Sequence, residues 1–192
     1  MSAQKDILLD YLQTIRDTVV WKLDGLSEYD VRRPLTPTGT NLLGVVKHLA
    51  YVELGYFVES FGRVVPVPSP FDDPDADPHD DLCATVDESR EDILGLYRLA
   101  WAESARTFEG RDLDSPARVP WWPPERNEVT LGRLLVHLIA ETNRHAGQID
   151  ILRETIDGSA GLRAGGSNLP DDDYDWQGYL ARVQAAADTF RT

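Results

Sequence analysis

The chain has 192 residues, with 33 acidic against 19 basic side chains and a formal net charge of −14. That length suffices for a real core and fits one domain, residues 1–192, while the acidity opposes nucleic acid and anionic membranes, both of which need basic surface. No apolar run approaches the roughly 20 residues of a membrane span, and the chain opens into an amphipathic pattern rather than a signal peptide, so a cytoplasmic protein is expected. The lone Cys83 has no second thiol or basic partner beside it and reads as a bystander.

In chain order, Ile7, Leu8, Tyr11, Leu12, Ile15 and Val19 recur at three- and four-residue steps and predict a first helix over about 3–22, stopped by Gly25. The stretch 26–38, with Arg32-Arg33-Pro34 and Pro37, reads as a loop. A second helix, capped by Thr40 or Asn41, is expected to run to about Phe61 and carries His48. Residues 64–82 are rich in proline and aspartate and read as a long solvated loop; Asp72 to Asp81 lack the spacing and glycine turn of a calcium loop.

A third helix, capped by Thr85 or Asp87, should end near Phe108 and bury Ile93, Leu94, Tyr97 and Trp101. The connection 110–127 follows, with Trp121-Trp122-Pro123-Pro124 expected as a short extended piece plugging one end of a bundle. Thr130 caps a fourth helix over about 131–156, which carries His137, Glu141 and His145 and stops at Asp157-Gly158. Beyond a glycine-rich stretch from Gly158 to Ser167 and the acidic Asp171 to Asp173, Trp176, Tyr179, Leu180, Val183 and Ala187 mark a last helix. The economical architecture is all-α: a four-helix bundle with long crossover loops and an additional C-terminal helix.

Imidazoles and a carboxylate inside apolar helical patterns are the chemical signal. His48 on one helix and His137, Glu141 and His145 on another offer two imidazoles and one carboxylate, a set suited to a divalent transition metal with open positions. His137 and His145 lie about 12 Å apart along a helix axis, too far to share one ion easily. Glu141 therefore pairs with either His137 or His145, His48 completing the set, and spacing does not choose between them. The bland alternative is a core histidine satisfied by one hydrogen bond. Glu53 is expected to be exposed, Gln148 to pack or hydrogen-bond near a helix end, and His137 to fill the early part of its helix; a supporting contact to the ligands is the lesser reading for each.

Val46-Lys-His-Leu-Ala-Tyr-Val-Glu53 together with His137-Leu-Ile-Ala-Glu-Thr-Asn-Arg-His-Ala-Gly-Gln148, supported by Ile156-Asp-Gly158 and the tryptophan-bearing last helix, resembles the DinB-like superfamily of metal-binding bundles. The branch resembled is that of mycothiol-dependent maleylpyruvate isomerase. The resemblance implies a DinB-like fold and a ligand set of His48, Glu141 and His145. It further implies metal-assisted chemistry on a low-molecular-weight thiol such as mycothiol, as S-transferase, isomerase or hydrolase. The isomerase carries a further C-terminal domain not found in these 192 residues, so maleylpyruvate is not carried over as substrate.

A divalent metal, zinc first, with mycothiol as cosubstrate, is thus the cofactor expectation; non-haem iron ranks lower on the same donor inventory. The expected partners are a small-molecule thiol and an electrophilic substrate, with no nucleic acid and no membrane, and a homodimer is left open. A metal-binding stress or sensor bundle without turnover is the competing reading. A deep pocket at an open coordination position would favour the enzyme.

Overall fold

A computed structural model describes residues 2–73, 75–164, 169–171 and 173–191. Residues 165–168 of the glycine-rich stretch, residue 172 of the acidic run and residue 74 of the acidic loop lie outside the described residues. The chain divides into two compact units, Met1–Ala160 and Gly161–Thr192.

The first unit is built on four long helices: α1 (Ala3–Trp21), α3 (Leu42–Phe57), α4 (Arg90–Phe108) and α5 (Leu131–Asp157), with the short α2 (Glu28–Arg32) between the first two. Each long helix begins where a side-chain oxygen accepts a backbone N–H that lacks an intrahelical partner. Asn41 does this for Gly44, Ser89 for Asp92 and Thr130 for Arg133. The third long helix thus starts at Arg90, later than expected, because Ser89 and Asp92 form a reciprocal capping box there, whereas Thr85 only donates its N–H to Glu88 in the turn ahead of it. The second ends at Phe57, a few residues early; a single 3₁₀ turn follows and Gly62 takes the left-handed conformation (φ 71°). Within the stretch expected as loop, Ser27 caps the one-turn α2, which stops as Arg33 turns extended ahead of Pro34.

Helix directions follow from cations that reach the carbonyls at other helices' ends. Lys5, at the start of α1, donates to the carbonyls of Phe108 and Arg111 at and beyond the end of α4. Arg153, late in α5, donates to Lys22 and Asp24 at the end of α1, both at 2.8 Å. Arg90 donates to Leu23 and Leu26. These contacts satisfy carbonyls that no helix turn can reach, and they place positive charge at the negative ends of helix dipoles. They also make α1 parallel to α5 and antiparallel to α4.

The pairing of Lys47 with Glu88, and of the Thr107 hydroxyl with the Phe57 carbonyl, makes α3 parallel to α4. Parallel neighbours cannot be joined by a short turn, so the chain after α3 must return along some 24 Å of helix, at about 1.5 Å per residue, before α4 begins. Residues 58–89 make that return, passing through two further 3₁₀ turns, Pro70–Asp72 and Asp80–Leu82. This crossover borders the candidate site.

Between α4 and α5 lies a two-stranded antiparallel hairpin, β1 (Pro116–Arg118) and β2 (Glu128–Thr130), with Ala117 opposite Val129. The tryptophan–proline run forms the turn region between the strands rather than an extended piece, since prolines remove the N–H groups a ladder needs. The hairpin closes one end of the bundle: Ala117, Val119 and Val129 pack with Leu12, Phe57, Phe108, Leu131, Leu134, Leu135 and Leu138. The architecture is the expected all-α bundle with this small hairpin added.

The second unit holds α6 (Trp176–Asp188), the expected C-terminal helix, begun by Asp175 accepting from Gly178 N. Tyr174, Trp176 and Tyr179 form an edge-to-face aromatic cluster at its start. Among the described residues no helix is long and apolar enough to cross a membrane.

Candidate metal centre

α3 and α5 run antiparallel, bringing His48 beside His145 and, further along, Tyr56 beside His137. The two imidazoles of His48 and His145 meet edge-on with ring centres 4.8 Å apart. Glu141, one turn before His145 on the same face of α5, sets its Oε1 3.0 Å from His145 Nε2 and 3.9 Å from His48 Nε2. One donor atom from each of the three residues lies within 4.8 Å of the others.

The other ring nitrogen of each histidine is taken. His48 Nδ1 lies 2.5 Å from the carboxylate of Asp81, and His145 Nδ1 lies 2.8 Å from Gln148 Oε1. In the tautomers that put the protons on Nδ1, His48 donates to Asp81 and His145 to Gln148, and the Nε2 lone pairs face the Glu141 carboxylate, which is the form a cation would need. Three electron-pair donors then point at one another, an arrangement that a shared cation relieves. Ligands about 2.0–2.1 Å from a tetrahedral zinc sit roughly 3.4 Å from each other. The 3.0 and 3.9 Å separations bracket that value, and all three donor atoms lie within 4.8 Å of one another, so these residues could hold a small divalent ion once the two imidazoles draw closer.

One of these supports departs from the sequence reading. Asp81 belongs to the acidic stretch read as solvated, yet it is only 3% exposed, because the crossover lays its last 3₁₀ turn against α3. Gly44 permits that approach: a β-carbon there would fall 1.9 Å from the Leu82 carbonyl oxygen. No local signal singles out Asp81 among its neighbouring aspartates. Gln148 makes the hydrogen bond that was one of its expected roles, and its partner is His145, at the i+3 spacing visible in the sequence.

Glu53 is buried at 2% exposure and pairs with Arg16, against the expectation that it is exposed. Its position on the stripe of Leu49, Ala50 and Phe57 marks the buried face, as does that of Arg16 beside Leu12 and Val19 on α1. Burial pushes the Glu53 carboxyl upward against the opposing pull of Arg16. The pair ties α1 to α3 in the core and makes no contact with the three converging residues.

His137 stands apart from the triad, with its ring edge-on to Tyr56 at 4.8 Å and to Trp122 at 5.3 Å. Burial holds its imidazole below the ordinary histidine range. Trp122 donates to the Tyr56 hydroxyl and helps close the bundle end, as expected of the pair. Trp121, half exposed, instead stands over Tyr56 and lines a chamber of about 1040 Å³ that also takes in Glu141 and His137. Cys83 is exposed and free.

None of the curated proteins compared with this chain matches it. The family profile described as mycothiol-S-transferase does match, over residues 7–158, a span that contains α1 from its second turn on, all of α3, α4 and α5, the crossover with Asp81, and His48, Glu141 and His145. The helical architecture agrees with that match, and the chain belongs to the mycothiol-S-transferase family, a branch of the DinB-like helical bundles.

Proposed function

We propose that the protein is a metal-dependent S-transferase that joins a low-molecular-weight thiol, mycothiol by its family, to an electrophile. In this reading His48, Glu141 and His145 hold one divalent cation, zinc in the first instance. The observation that carries it is the convergence of two imidazoles and a carboxylate, with both Nδ1 positions already engaged by Asp81 and Gln148.

A divalent cation held there supplies a Lewis acid that lowers the pKa of a bound thiol, so that thiolate is present near neutral pH. The protein's own groups do the rest. Asp81 and Gln148 hold the rotation of the two imidazoles. The single carboxylate of Glu141 offsets only half of a divalent charge, which favours an anionic sulfur beside it. The chamber bordering Glu141 supplies room for a second reactant, which supports turnover over a closed, purely binding site.

The reaction sums to R–SH + R′–X → R–S–R′ + HX. The sulfur–carbon bond forms, the carbon–X bond breaks with its electron pair on X, and the thiol proton leaves with X.

The test is elemental analysis of the purified protein followed by mycothiol conjugation with and without its metal. Close to one divalent ion per chain is expected, lost in His48→Ala and His145→Ala with helical content retained, and conjugation should follow metal content. Full metal retention in both folded variants would remove the proposed ligands. Inactivity of the loaded wild type across a broad panel of electrophiles would remove the transferase.

A further inference from the structure

The chamber beside the triad has a chemical character of its own. One wall is α3, from Tyr51 and Val52 to Tyr56; facing it, the early crossover contributes Val64, Val65, Val67 and Phe71, and Trp121 covers one end. These groups are apolar or aromatic; the crossover runs back past α3 with Val65 and Val67 half-buried on the chamber wall, while Val64 and Phe71 stand largely exposed at its rim. Gly55 belongs to the same design: a β-carbon there would come within 3.0 Å of the Trp121 indole, so its absence lets the ring lie over the helix.

The charged groups on the chamber wall are Glu59, Asp72 and Glu141, with Arg63 as the cation. Arg63 is already committed. One guanidinium nitrogen donates to the Glu103 carbonyl and the Thr107 hydroxyl, each at 2.7 Å, and another pairs with the Glu103 carboxylate. Even with Glu141 spent on a cation, Glu59 and Asp72 keep the chamber acidic, and the Tyr51 phenol on its wall is pushed upward by burial and then by nearby carboxylates including Asp72. An anion would meet like charge and a polyhydroxylated molecule mostly apolar surface, whereas an uncharged apolar molecule meets neither penalty.

We infer that the chamber bounded by Val65, Val67, Phe71 and Trp121 is the site of the electrophile, and that it selects uncharged, largely apolar electrophiles against carboxylated ones. The inference rests on the S-transferase reading for the word electrophile, but the binding preference can be measured without turnover. On this inference the thiol, the more polar reactant, is held at the triad itself and leaves the chamber to the electrophile.

A matched pair of fluorescent probes tests the preference on the full chain. N-phenyl-1-naphthylamine is uncharged, and 8-anilino-1-naphthalenesulfonate has the same skeleton with one sulfonate. The uncharged probe should bind one per chain and about ten-fold or more tighter than the anion. Trp121→Ala and Val67→Asp, both at accessible positions, should each weaken it about five-fold with the fold unchanged by circular dichroism. The double variant Glu59→Gln with Asp72→Asn should narrow the ratio between the probes about three-fold, by strengthening the anion. In conjugation assays the uncharged probe should compete with the electrophile and not with mycothiol.

Equal binding of the two probes, indifference to Trp121→Ala and Val67→Asp, or competition against mycothiol would each overturn the inference. If the loaded protein conjugates nothing yet the probe preference and its dependence on Trp121 hold, the transferase reading fails and the chamber's selectivity stands.

Discussion

Replacing Asp81 with alanine removes a carboxylate that is almost wholly buried and that accepts the Nδ1 proton of His48 at 2.5 Å. Two things are lost together: the restraint on the imidazole's rotation and the negative charge that makes Nε2 a better electron-pair donor. Loss of such an outer partner lowers metal affinity by about 10–100-fold, or roughly 1.4–2.7 kcal/mol. The upper part of that range is expected here, because the partner is charged and shielded from water. Asp81→Asn keeps an acceptor and removes the charge, so it should fall between wild type and alanine. Gln148→Ala, which removes a neutral partner from His145, should cost less than Asp81→Ala. The assay is a competition titration of zinc against a chromophoric chelator at fixed pH, with thermal unfolding of the metal-free proteins run in parallel. An Asp81→Ala affinity within about two-fold of wild type would refute the reasoning, provided His48→Ala is impaired, since the outer partner range begins near ten-fold. A lowered unfolding temperature with unchanged affinity would make Asp81 a fastener of the crossover instead.

Gly44→Ala should act on the same site from a distance: its new methyl collides with the Leu82 carbonyl, pushing the 80–83 turn from α3 at a cost of about 1–3 kcal/mol in stability. Urea unfolding measures the stability, and the chelator titration should show a weakening of the same kind as Asp81→Ala; unchanged values in both would mean the crossover can shift freely. For His137, burial lowers the folded-state pKa below the ordinary 6.5, so the unfolded chain takes up its proton first as pH falls. Stability should therefore decline as pH drops below about 6.5, until the folded-state value is passed, and this histidine's share of the slope should vanish in His137→Gln. An NMR titration of the His137 ring with a midpoint at or above 6.5 would contradict this.

The long helices were legible in the sequence because a helix that buries one face must repeat its apolar residues every three or four positions and must cap its own ends. Asn41, Thr130 and Gly158 are such local signals, and each stands where the structure puts a helix boundary. Glu141 and His145 are likewise a local pair, one turn apart on one helix, and the family pattern around them and around His48 was readable without coordinates. What a one-dimensional pattern cannot carry is the partner of a residue across the bundle. Which cation meets the buried Glu53 depends on Arg16 arriving from α1, and that Asp81 differs from its neighbouring aspartates depends on α3 and α4 being parallel, which forces residues 58–89 back along the bundle. The same return lays Val64 to Phe71 opposite α3 and makes a chamber of what composition marks as a polar, proline-broken loop. Spacing along one helix is a property of the chain itself, determined by the rise and turn of the backbone. The tautomer of His48, the company of Asp81 and the walls of the chamber are properties of helix direction, and they come into being only when the bundle closes.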